Sequence, residues 1–449
     1  MALDTIPKQE GGKLNAVASG TLPSGKPVIV NADGTVSVVD VTSISQSVGS
    51  PSAYLTGSVA GDNPVAFDSN ANKFVVAYKD ASNSNYGTAV VGTVSGASIS
   101  FGTPVVFDSS FIDQITISFN SSVNKMLIAY RDSNNNRCRA IAGTVSGTSI
   151  GFGSPSNFAN NCVSMSQAYD SNSARSVIAY RDVGGSNYGR AVTAAINAST
   201  SGVSFGTPVV FESAITQHTS TAFDSVNNKI VIAYQDNSNG SKGTSVVGTV
   251  SGSSISFGTP VIFYTSTMVR TGCTFDSIAG KVVIMFDAVT GSSMRAIVGT
   301  VSGTSISFGT DVLVDARNAN TFISGTFDSN AGKVVFAYFD TANTNHGTLI
   351  AGTVSGTSIT FNTPVDFASE TSTQFGTAFD SSTNQVIISY YQHAAPYGGR
   401  AVLFTNSSSS TTLTAENYIG ISDGVVKTFS QSEAIGTEST FETGDVYGS

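Results

Sequence analysis

Tryptophan is absent from this chain of 449 residues, charged side chains make up only 11% of it, and no cluster of basic residues occurs. The formal net charge of −9 argues against a nucleic-acid partner, because binding to a polyanion needs grouped Lys and Arg side chains that displace counterions. The polar surface must therefore come from Ser, Thr, Asn and Gly, which predicts a neutral, hydroxyl-rich exterior. Without Trp, the candidates for stacking on a sugar ring are Tyr86, Tyr188 and Tyr397.

Cysteine is also scarce, with only Cys138, Cys162 and Cys273. Their number and spacing match neither a disulfide framework nor a metal-binding motif, and we interpret them as small buried residues. No apolar run is long enough to span a membrane, and residues 1–15 lack the apolar core of a signal peptide. We expect a protein made in a cytoplasm with a surface suited to the outside of a cell. Virion components, which are released by lysis, combine these two properties.

One motif recurs along the chain. The segment 92–107, GTVSGASISFGTPVVF, returns with small changes from Gly143, Gly248, Gly299 and Gly352. A second landmark, Phe-Asp-Ser followed by a turn, has its acidic or amide residue at Asp68, Asn120, Asp170, Asp224, Asp276, Asp328 and Asp380. The intervals between these positions are 52, 50, 54, 52, 52 and 52 residues, which indicates seven tandem copies of one structural unit.

Each copy contains four strand signals. In the first copy they end at Phe67 and then cover 74–78, 88–94 and 98–107; in the last of these, Ile99 and Phe101 alternate with serines as in a half-buried strand. Prolines such as Pro104 interrupt this fourth strand, which suits an edge position because proline cannot donate to a ladder. No segment has helical periodicity. The pattern predicts an all-β fold, a seven-bladed β-propeller with four-stranded blades.

The segment 42–55 matches a fourth strand that has no first three strands before it, while the last copy, about 374–404, lacks a fourth strand. We therefore predict that the N-terminal strand completes the last blade and closes the ring. The domain prediction is an N-terminal hairpin and attachment segment at 1–40, a propeller at 41–406, and a Ser/Thr linker with a β-rich tail at 407–449. The tail either pairs with a neighbouring subunit or is a flexible end.

The repeat, together with the flanking runs SGTLPSGKPVIV at 19–30 and LTAENYIG at 413–420, resembles tail-fibre and other virion proteins of marine and cyanobacterial bacteriophages. This resemblance covers most of the chain. It implies a role in virion structure and host-surface recognition, and it brings no catalytic signature with it.

Two faces of the predicted propeller differ in how much the copies vary. The turns Asp-Ser-x-x-x-Lys and Val-Ser-Gly-x-Ser barely change, whereas the loops from strand four to strand one and from strand two to strand three change in nearly every copy. Loops held by a rigid scaffold often carry function, although unconstrained drift explains the same variation. The candidate binding residues on this variable face are Tyr86, Tyr188, His218, Tyr264, Arg270, His346, His393 and Tyr397.

Acidic residues end the second strand in several copies, and arginines begin the third. We predict structural ion pairs between Asp132 and Arg139 and between Asp182 and Arg190, in preference to a ring of carboxylates that binds Ca²⁺. Two Gly-x-Ser-x-Gly runs, at 147–151 and 202–206, precede no helix and so do not form a nucleophile elbow. We expect no enzyme activity, no metal and no cofactor.

Three functions follow as hypotheses. In the first, a phage tail fibre or appendage subunit presents its propeller face to a host glycan or receptor. In the second, the propeller is a purely structural part of the virion that assembles through its termini, and in the third it is a polysaccharide depolymerase. The expected partners are other virion proteins, further copies of this chain and a host-surface glycan, with no nucleic acid and no membrane insertion. The expected location is the virion.

Overall fold

A computed structural model of the chain describes residues 13–17, 27–30, 35–38, 42–44, 46–57, 62–289, 292–315, 322–341, 343–406, 408–410, 418–428 and 437–442. The chain forms two compact units, one of residues 46–406 and one of residues from 1–45 and 407–449. One 3₁₀ turn, Asn237–Asn239, is the only helical element in the described residues. The described part of the chain contains no helix with the length and hydropathy that a membrane crossing requires.

The strands are numbered in chain order. Those before the first repeat are β1 (Lys13–Val17), β2 (Pro27–Val30), β3 (Val36–Val38), β4 (Thr42–Ile44), β5 (Ser47–Val48) and β6 (Ser52–Thr56). The next fourteen are β7 (Val65–Asp68), β8 (Lys73–Asp80), β9 (Tyr86–Ser95), β10 (Ser98–Phe101), β11 (Val105–Asn120), β12 (Lys125–Asp132), β13 (Arg137–Ser146), β14 (Ser149–Phe152), β15 (Ser156–Asn160), β16 (Cys162–Asp170), β17 (Arg175–Asp182), β18 (Tyr188–Ile196), β19 (Val203–Phe205) and β20 (Val209–Asp224).

The remaining strands follow in the same way. They are β21 (Lys229–Asp236), β22 (Lys242–Ser251), β23 (Ser254–Phe257), β24 (Val261–Asp276), β25 (Lys281–Ala288), β26 (Ser293–Ser302), β27 (Ser305–Phe308), β28 (Val312–Asp315), β29 (Ile323–Asp328), β30 (Lys333–Asp340), β31 (His346–Ser355), β32 (Ser358–Phe361), β33 (Val365–Asp380), β34 (Gln385–Gln392), β35 (Gly398–Thr405), β36 (Ser408–Ser410), β37 (Tyr418–Thr428) and β38 (Thr437–Glu442).

One antiparallel pattern recurs seven times. We number the repeats 1 to 7 by their second strands, β8, β12, β17, β21, β25, β30 and β34. Each second strand pairs with a first and a third strand, and each third strand pairs with a fourth strand made of two short pieces. In repeat 1 these pieces are β10 and the start of β11, which both pair with β9. Pro104 lies between them, so proline interrupts the edge strand where it removes no ladder hydrogen bond.

The expected loops between strand four and strand one are mostly β-structure, which corrects the sequence interpretation. β11, β20, β24 and β33 are each 16 residues long and run without a break from one repeat into the next. The reason is that both halves have partners: the start of β11 pairs with β9, and its end pairs with β12. A β-bulge between Asp113 and Thr116 bends the strand as it changes partner. Part of the corresponding segment of repeat 5, residues 316–321, lies outside the described residues.

The core lies between repeats. Residues 74–78 of β8 are fully buried, because a neighbouring sheet packs on each face of the strand, and this explains their uninterrupted apolar run. Seven apolar clusters each join two consecutive repeats. One of them combines Val76 and Tyr78 of repeat 1 with Ile387 and Leu403 of repeat 7. Repeat 7 therefore packs against repeat 1.

The segment predicted to close the array lies against the last repeat. β5 and β6 both pair with β35, with Val48 opposite Phe404 and Ala53 opposite Arg400. These two short strands occupy the position that the two pieces of the fourth strand occupy in the other repeats.

The termini form a sheet of their own in the order β1-β38-β37-β2-β3. β2 and β3 pair as the hairpin that the intervening Asp-Gly pair predicts. The C-terminal strand β37 pairs with β2, and β38 pairs with β1. The tail thus pairs with the N-terminal segment of its own chain, which neither sequence alternative anticipated. β36 pairs separately with β4.

The constant turns have the predicted chemistry. Asp68 Oδ1 accepts hydrogen bonds from the backbone N–H groups of Asn70 and Ala71, both at 2.9 Å. The fifth residue of this turn has a positive φ in each repeat, and Asn72 is the first example, with φ 51°.

Gly102 permits a close approach between two consecutive repeats. A Cβ at this position would lie 1.7 Å from the Thr148 carbonyl oxygen of the next repeat.

The interpretation of all three cysteines as unbonded buried residues is wrong. Cys138 and Cys162 form a disulfide with a Cα–Cα distance of 6.1 Å, and only Cys273 is free and buried. Cys138 lies in the third strand of repeat 2, and Cys162 begins the first strand of repeat 3. The spacing of 24 residues in sequence hides a proximity that depends on how consecutive repeats pack.

Candidate functional site

All seven repeats contribute to one central cavity of ≈ 470 Å³. Its wall consists of the first strands and the residues just before them. One position recurs around the wall, six residues before the Asp or Asn of the constant turn: Asp62, Gln114, Ser164, His218, Arg270, Phe322 and Gln374. We call these seven residues the cavity ring. The repeated scaffold thus presents six different types of side chain at one position, with Gln occurring twice.

The backbone at the cavity ring is strained in the same way in most repeats. Gln114, Ser164, His218, Phe322 and Gln374 have φ values of 52°, 51°, 50°, 47° and 61°. Left-handed φ costs roughly 1–2 kcal/mol for a residue that has a Cβ atom. Where the pairing is resolved, the strained residue belongs to a β-bulge, as between Gln217 and Ser220, and such bulges redirect a side chain. The same backbone strain recurs at one position of the cavity wall. This recurrence favours a functional role for the side chains that the bulges orient.

Hydroxyl groups line the cavity below the ring. The Ser166 and Thr221 hydroxyls are 2.7 Å apart, and those of Ser324 and Thr377 are 2.9 Å apart. Thr271 Oγ1 donates a hydrogen bond to the His218 carbonyl oxygen at 3.1 Å. The cavity wall therefore offers both hydrogen-bond donors and hydrogen-bond acceptors to a polar ligand.

Three amide side chains in the cavity wall, those of Asn63, Gln167 and Gln374, have atoms without a hydrogen-bond partner among the described residues. Asn63 is 1% exposed, and neither its Oδ1 nor its Nδ2 forms a hydrogen bond with any described residue. Gln374 Oε1 is buried and likewise unpaired. A buried polar group without a partner costs about 1–3 kcal/mol. These atoms are therefore positioned for a ligand or for ordered water.

Opposite charges face the cavity. The Arg270 guanidinium lies 4.7 Å from the centroid of the Phe322 ring and forms no ion pair with a described residue. Asp62, from repeat 1, accepts a hydrogen bond from the Ile115 N–H at 3.3 Å, and burial raises its pKa. Burial, together with the positive charges of Arg270 and Arg181, lowers the pKa of His218 to about 4, so this imidazole is neutral at pH 7.

The structure divides the eight sequence candidates into two groups. His218 and Arg270 line the cavity. The other six belong to several repeats and form no common site; five of them lie at or next to a strand end, and Tyr264 lies within β24. Tyr86, Tyr188 and His346 each begin a third strand, opposite the Asp that ends the second.

The last three candidates also have separate surroundings. The Tyr264 ring packs on Phe286 with centroids 4.8 Å apart. His393 Nε2 lies 2.7 Å from Thr373 Oγ1, and Tyr397 is 55% exposed.

The hydrogen-bond partners of His346 lie in its own repeat, and they account for this residue as a structural one. Its Nδ1 lies 3.2 Å from Asp366 Oδ2, and Asn343 Nδ2 donates to the same oxygen at 2.6 Å. Burial opposes ionisation of Asp366, but hydrogen bonds from His346, Thr348 and Asn343 outweigh it and lower the pKa of this carboxyl group.

The predicted ion pairs are confirmed. Arg190 Nε lies 2.8 Å from Asp182 Oδ2, and Arg139 Nη1 lies 3.5 Å from Asp132 Oδ2. Arg139 is closer to Asp108, at 2.8 Å, and Asp108 also accepts a hydrogen bond from Tyr130 at 2.6 Å. No group of three His, Cys, Asp or Glu side chains with the geometry of a metal site occurs among the described residues.

A second, smaller pocket of ≈ 250 Å³ lies between repeats 2 and 3. Its wall includes Phe158, Tyr180 and the Asp182–Arg190 pair. A Cβ at Gly185 would lie 2.3 Å from Asp182 Oδ2, so glycine leaves room for this carboxylate. Phe107, Tyr130, Asp132 and Arg139 occupy the equivalent positions one repeat earlier.

Sequence reasoning missed five members of the cavity ring, namely Asp62, Gln114, Ser164, Phe322 and Gln374. The signal that finds them is the fixed offset of six residues from the constant turn. The predicted loops hid this offset, because they suggested that the side chains were scattered over a surface.

Solved structures share this architecture at low sequence identity. The chain is similar to the BP39L lectin from Burkholderia pseudomallei, with TM-score 0.52 and 10% identity over 78% of this chain and 99% of that chain. It is also similar to a protein from Lactobacillus plantarum, with TM-score 0.50 and 9% identity over 79% and 96%. A third match is the β-propeller domain of Myceliophteria thermophila Swd1, with TM-score 0.48 and 9% identity over 79% and 99%.

No family model and no curated protein sequence matches the chain. Similarity at about one residue in ten bears on the fold alone. Four-stranded antiparallel repeats around a common cavity are the architecture of a β-propeller, and the fold is all-β.

Proposed function

We propose that this chain is a carbohydrate-recognition β-propeller, a closed ring of seven blades whose central cavity holds one residue of a glycan. The observation that carries the proposal is the cavity itself. Its ≈ 470 Å³ falls within the range of small-ligand sites, and unpaired amides and paired hydroxyls converge on it. A sugar residue is small and has many groups that both donate and accept hydrogen bonds. The similarity to a bacterial lectin supports this choice of ligand.

The count of seven blades rests on pairing and packing. Seven sets of strands one to three are present, and β5 and β6 supply the fourth strand of repeat 7. Seven inter-repeat clusters, one of them between repeats 7 and 1, support closure.

The setting that we propose is a phage virion, with the chain as a tail-fibre or appendage subunit exposed after host lysis. The resemblance of the repeat and of its flanking runs to phage virion proteins supports this setting. The Cys138–Cys162 disulfide does so too, since disulfides persist in oxidising surroundings. The partners would be a host-surface glycan at the cavity and virion proteins or further copies at the termini. The activity is binding, without cleavage of the glycan.

The test is a glycan array with the purified chain, followed by calorimetry on the best ligand. We expect Gln374→Leu to abolish measurable binding, because it removes an amide from the cavity wall. Tyr397→Ala, on the exposed rim, should leave the affinity unchanged. The opposite pattern would move the site to the rim, and an array without any bound saccharide would refute the proposed function.

A second candidate function is favoured by the terminal sheet. β37 pairs with β2, and β38 pairs with β1, so both ends of the chain belong to one compact unit. This unit is distinct from the one that residues 46–406 form. We propose that this unit attaches the subunit to the particle. Deleting residues 408–449 should then prevent incorporation into virions while the thermal transition of the remaining chain persists.

A further inference from the structure

Arg270 lines the cavity, and Lys79 and Arg181 act electrostatically on the cavity-ring residues Asp62 and His218. Lys79, Arg181 and Arg270 form no ion pair with any described residue, although the chain carries a net charge of −9. Lys79 Nζ lies 4.7 Å from the centroid of the Phe111 ring. By contrast, Arg131, one repeat further on, donates through Nε to Asp113 at 2.7 Å. Unpaired cations in an acidic protein indicate a site for an anion.

The unpaired arginines lie on one side of the cavity. Arg181, His218 and Arg270 belong to three consecutive repeats, 3, 4 and 5. The pKa of His218 falls partly because both guanidinium groups act on it, so their fields overlap at the imidazole. His218 stays neutral there and adds a hydrogen-bonding group without adding charge.

Two acidic groups, Asp62 and Asp287, act on Arg270 electrostatically, but neither forms an ion pair with it. Asp113 is already paired with Arg131, whereas Asp62, from repeat 1, lines the same cavity as Arg270 and acts on it electrostatically. Asp287 lies in repeat 5 and acts on Arg270 less strongly than Asp62 does. Burial raises the pKa of Asp287 to about 6, despite the opposing effect of Arg270, so this carboxyl group is still mostly ionised at pH 7. The three unpaired cations Lys79, Arg181 and Arg270 nevertheless outnumber Asp62 and Asp287, the two carboxyl groups that act on Arg270.

We infer that the sugar residue bound in the central cavity carries a carboxylate, which lies against Arg270 beside His218 and within the field of Arg181. Its hydroxyl groups would contact Gln114, Gln374 and Asn63 on the remaining wall. The ligand class is thus a uronic-acid-type residue of an acidic glycan. This inference rests on the proposed function, because it specifies the ligand of the same cavity.

The geometry of Arg270 suits a carboxylate better than a neutral hydroxyl. A guanidinium presents its N–H groups as a planar fork that matches two carboxylate oxygens. Stacking over Phe322 fixes the plane of this fork while leaving its edge free. A neutral sugar would leave the guanidinium without an ion-pair partner in a partly desolvated site. The carboxylate should therefore strengthen binding roughly tenfold to a hundredfold, as expected for hydrogen bonds to charged groups.

The experiment compares two ligands that differ at one carbon, methyl β-D-glucuronide and methyl β-D-glucoside, by isothermal calorimetry on the full chain. We expect the native protein to prefer the glucuronide by at least about tenfold. Arg270→Gln should remove the preference by weakening glucuronide binding while the affinity for the glucoside stays within about threefold. Arg295→Gln is the control, because Arg295 pairs with Asp311 outside the cavity and should keep the preference.

Each outcome decides the matter. Equal affinity of the native protein for both ligands would overturn the inference that the ligand carries a carboxylate. A preference for the glucuronide that survives Arg270→Gln would overturn it as well. Both outcomes leave the proposed function standing. Tighter binding of methyl glucoside 6-sulfate than of the glucuronide also overturns the carboxylate. No binding of any saccharide refutes the inference and the proposed function together. If Arg270→Gln lowers the thermal midpoint below the assay temperature, Arg181→Gln serves in its place and should reduce the preference.

Discussion

The Tyr54 ring packs against the Tyr78 ring, with their centroids 5.2 Å apart, and so joins the start of the chain to repeat 1. Tyr54 also contacts Phe101 of repeat 1, at 5.6 Å. Its own strand, β6, pairs with repeat 7. Equivalent aromatic sets join other consecutive repeats: Phe107 with Tyr130 and Phe152, Phe158 with Tyr180 and Phe205, and Phe211 with Tyr234 and Phe257.

Replacing Tyr54 with Ala tests this junction. Tyr54 is 6% exposed, so we expect Tyr54→Ala to lower the free energy of unfolding by about 3–5 kcal/mol through lost contacts and a cavity. Tyr397→Ala, at an exposed position, should change it by less than about 0.5 kcal/mol. Denaturant unfolding of both variants is the measurement. Similar stability of the two variants would show that the N-terminal strand does not close the array.

Close packing between consecutive repeats predicts a second difference, between two glycines. A Cβ at Gly102 meets the Thr148 carbonyl oxygen, whereas a Cβ at Gly151 has no atom within 4 Å. Gly102→Ala should destabilise the protein by roughly 1–3 kcal/mol because backbone must move, while Gly151→Ala should be neutral. Thermal unfolding measures both, and a neutral Gly102→Ala would contradict the described approach of the two repeats.

The disulfide should contribute measurable stability. Closing a loop of 24 residues is expected to stabilise a folded chain by about 3 kcal/mol through the entropy of the unfolded state. The double variant Cys138→Ala/Cys162→Ala should therefore melt at a lower temperature than the oxidised protein. A reducing agent should lower the midpoint of the native chain and leave that of the double variant unchanged. If the reducing agent also lowered the midpoint of the double variant, the loss of stability would have a cause other than this disulfide.

His218 predicts a pH dependence with a definite sign. Its pKa is about 4 in the fold and about 6.5 in the unfolded chain, so between these values the unfolded state binds more protons. The contribution of neutral His218 to the free energy of unfolding is complete above pH 6.5 and is lost as the pH falls towards 4. The slope is at most about 1.4 kcal/mol per pH unit.

Comparison with a variant isolates this contribution. Asp287, with its pKa raised to about 6, acts in the opposite direction below that pH, so the pH profile of the native protein alone does not report on His218. We therefore expect His218→Gln to gain stability relative to the native protein as the pH falls from 6.5 to 4. Thermal midpoints at several pH values measure this difference. A constant difference would mean that His218 titrates normally.

The order of the strands could be predicted because one period governs turns and strands alike. The Asp68 turn recurs with its two backbone hydrogen bonds, and the buried run 74–78 recurs as the second strand. The unmatched fourth strand near Pro51 was enough to predict its pairing with the last repeat. These features depend on local chemistry or on simple counting.

The cavity and the disulfide could not be predicted in this way, because they depend on the register between consecutive repeats. Polar residues such as Asp108 to Asp113 suggested a loop, yet they continue a strand whose two halves have different partners. The side chains of Gln114 and Gln374 converge only when seven repeats share one cavity. Cys138 and Cys162 meet because a third strand lies beside the following first strand.

The most direct measurement is a crystal structure of the full chain grown with methyl β-D-glucuronide. Our account predicts one sugar ring in the central cavity, with its carboxylate against Arg270 and hydroxyl groups within hydrogen-bond distance of Asn63 and Gln374. Sugar density in the pocket beside Arg190, or at the rim near Tyr397, with only water in the central cavity, would contradict it.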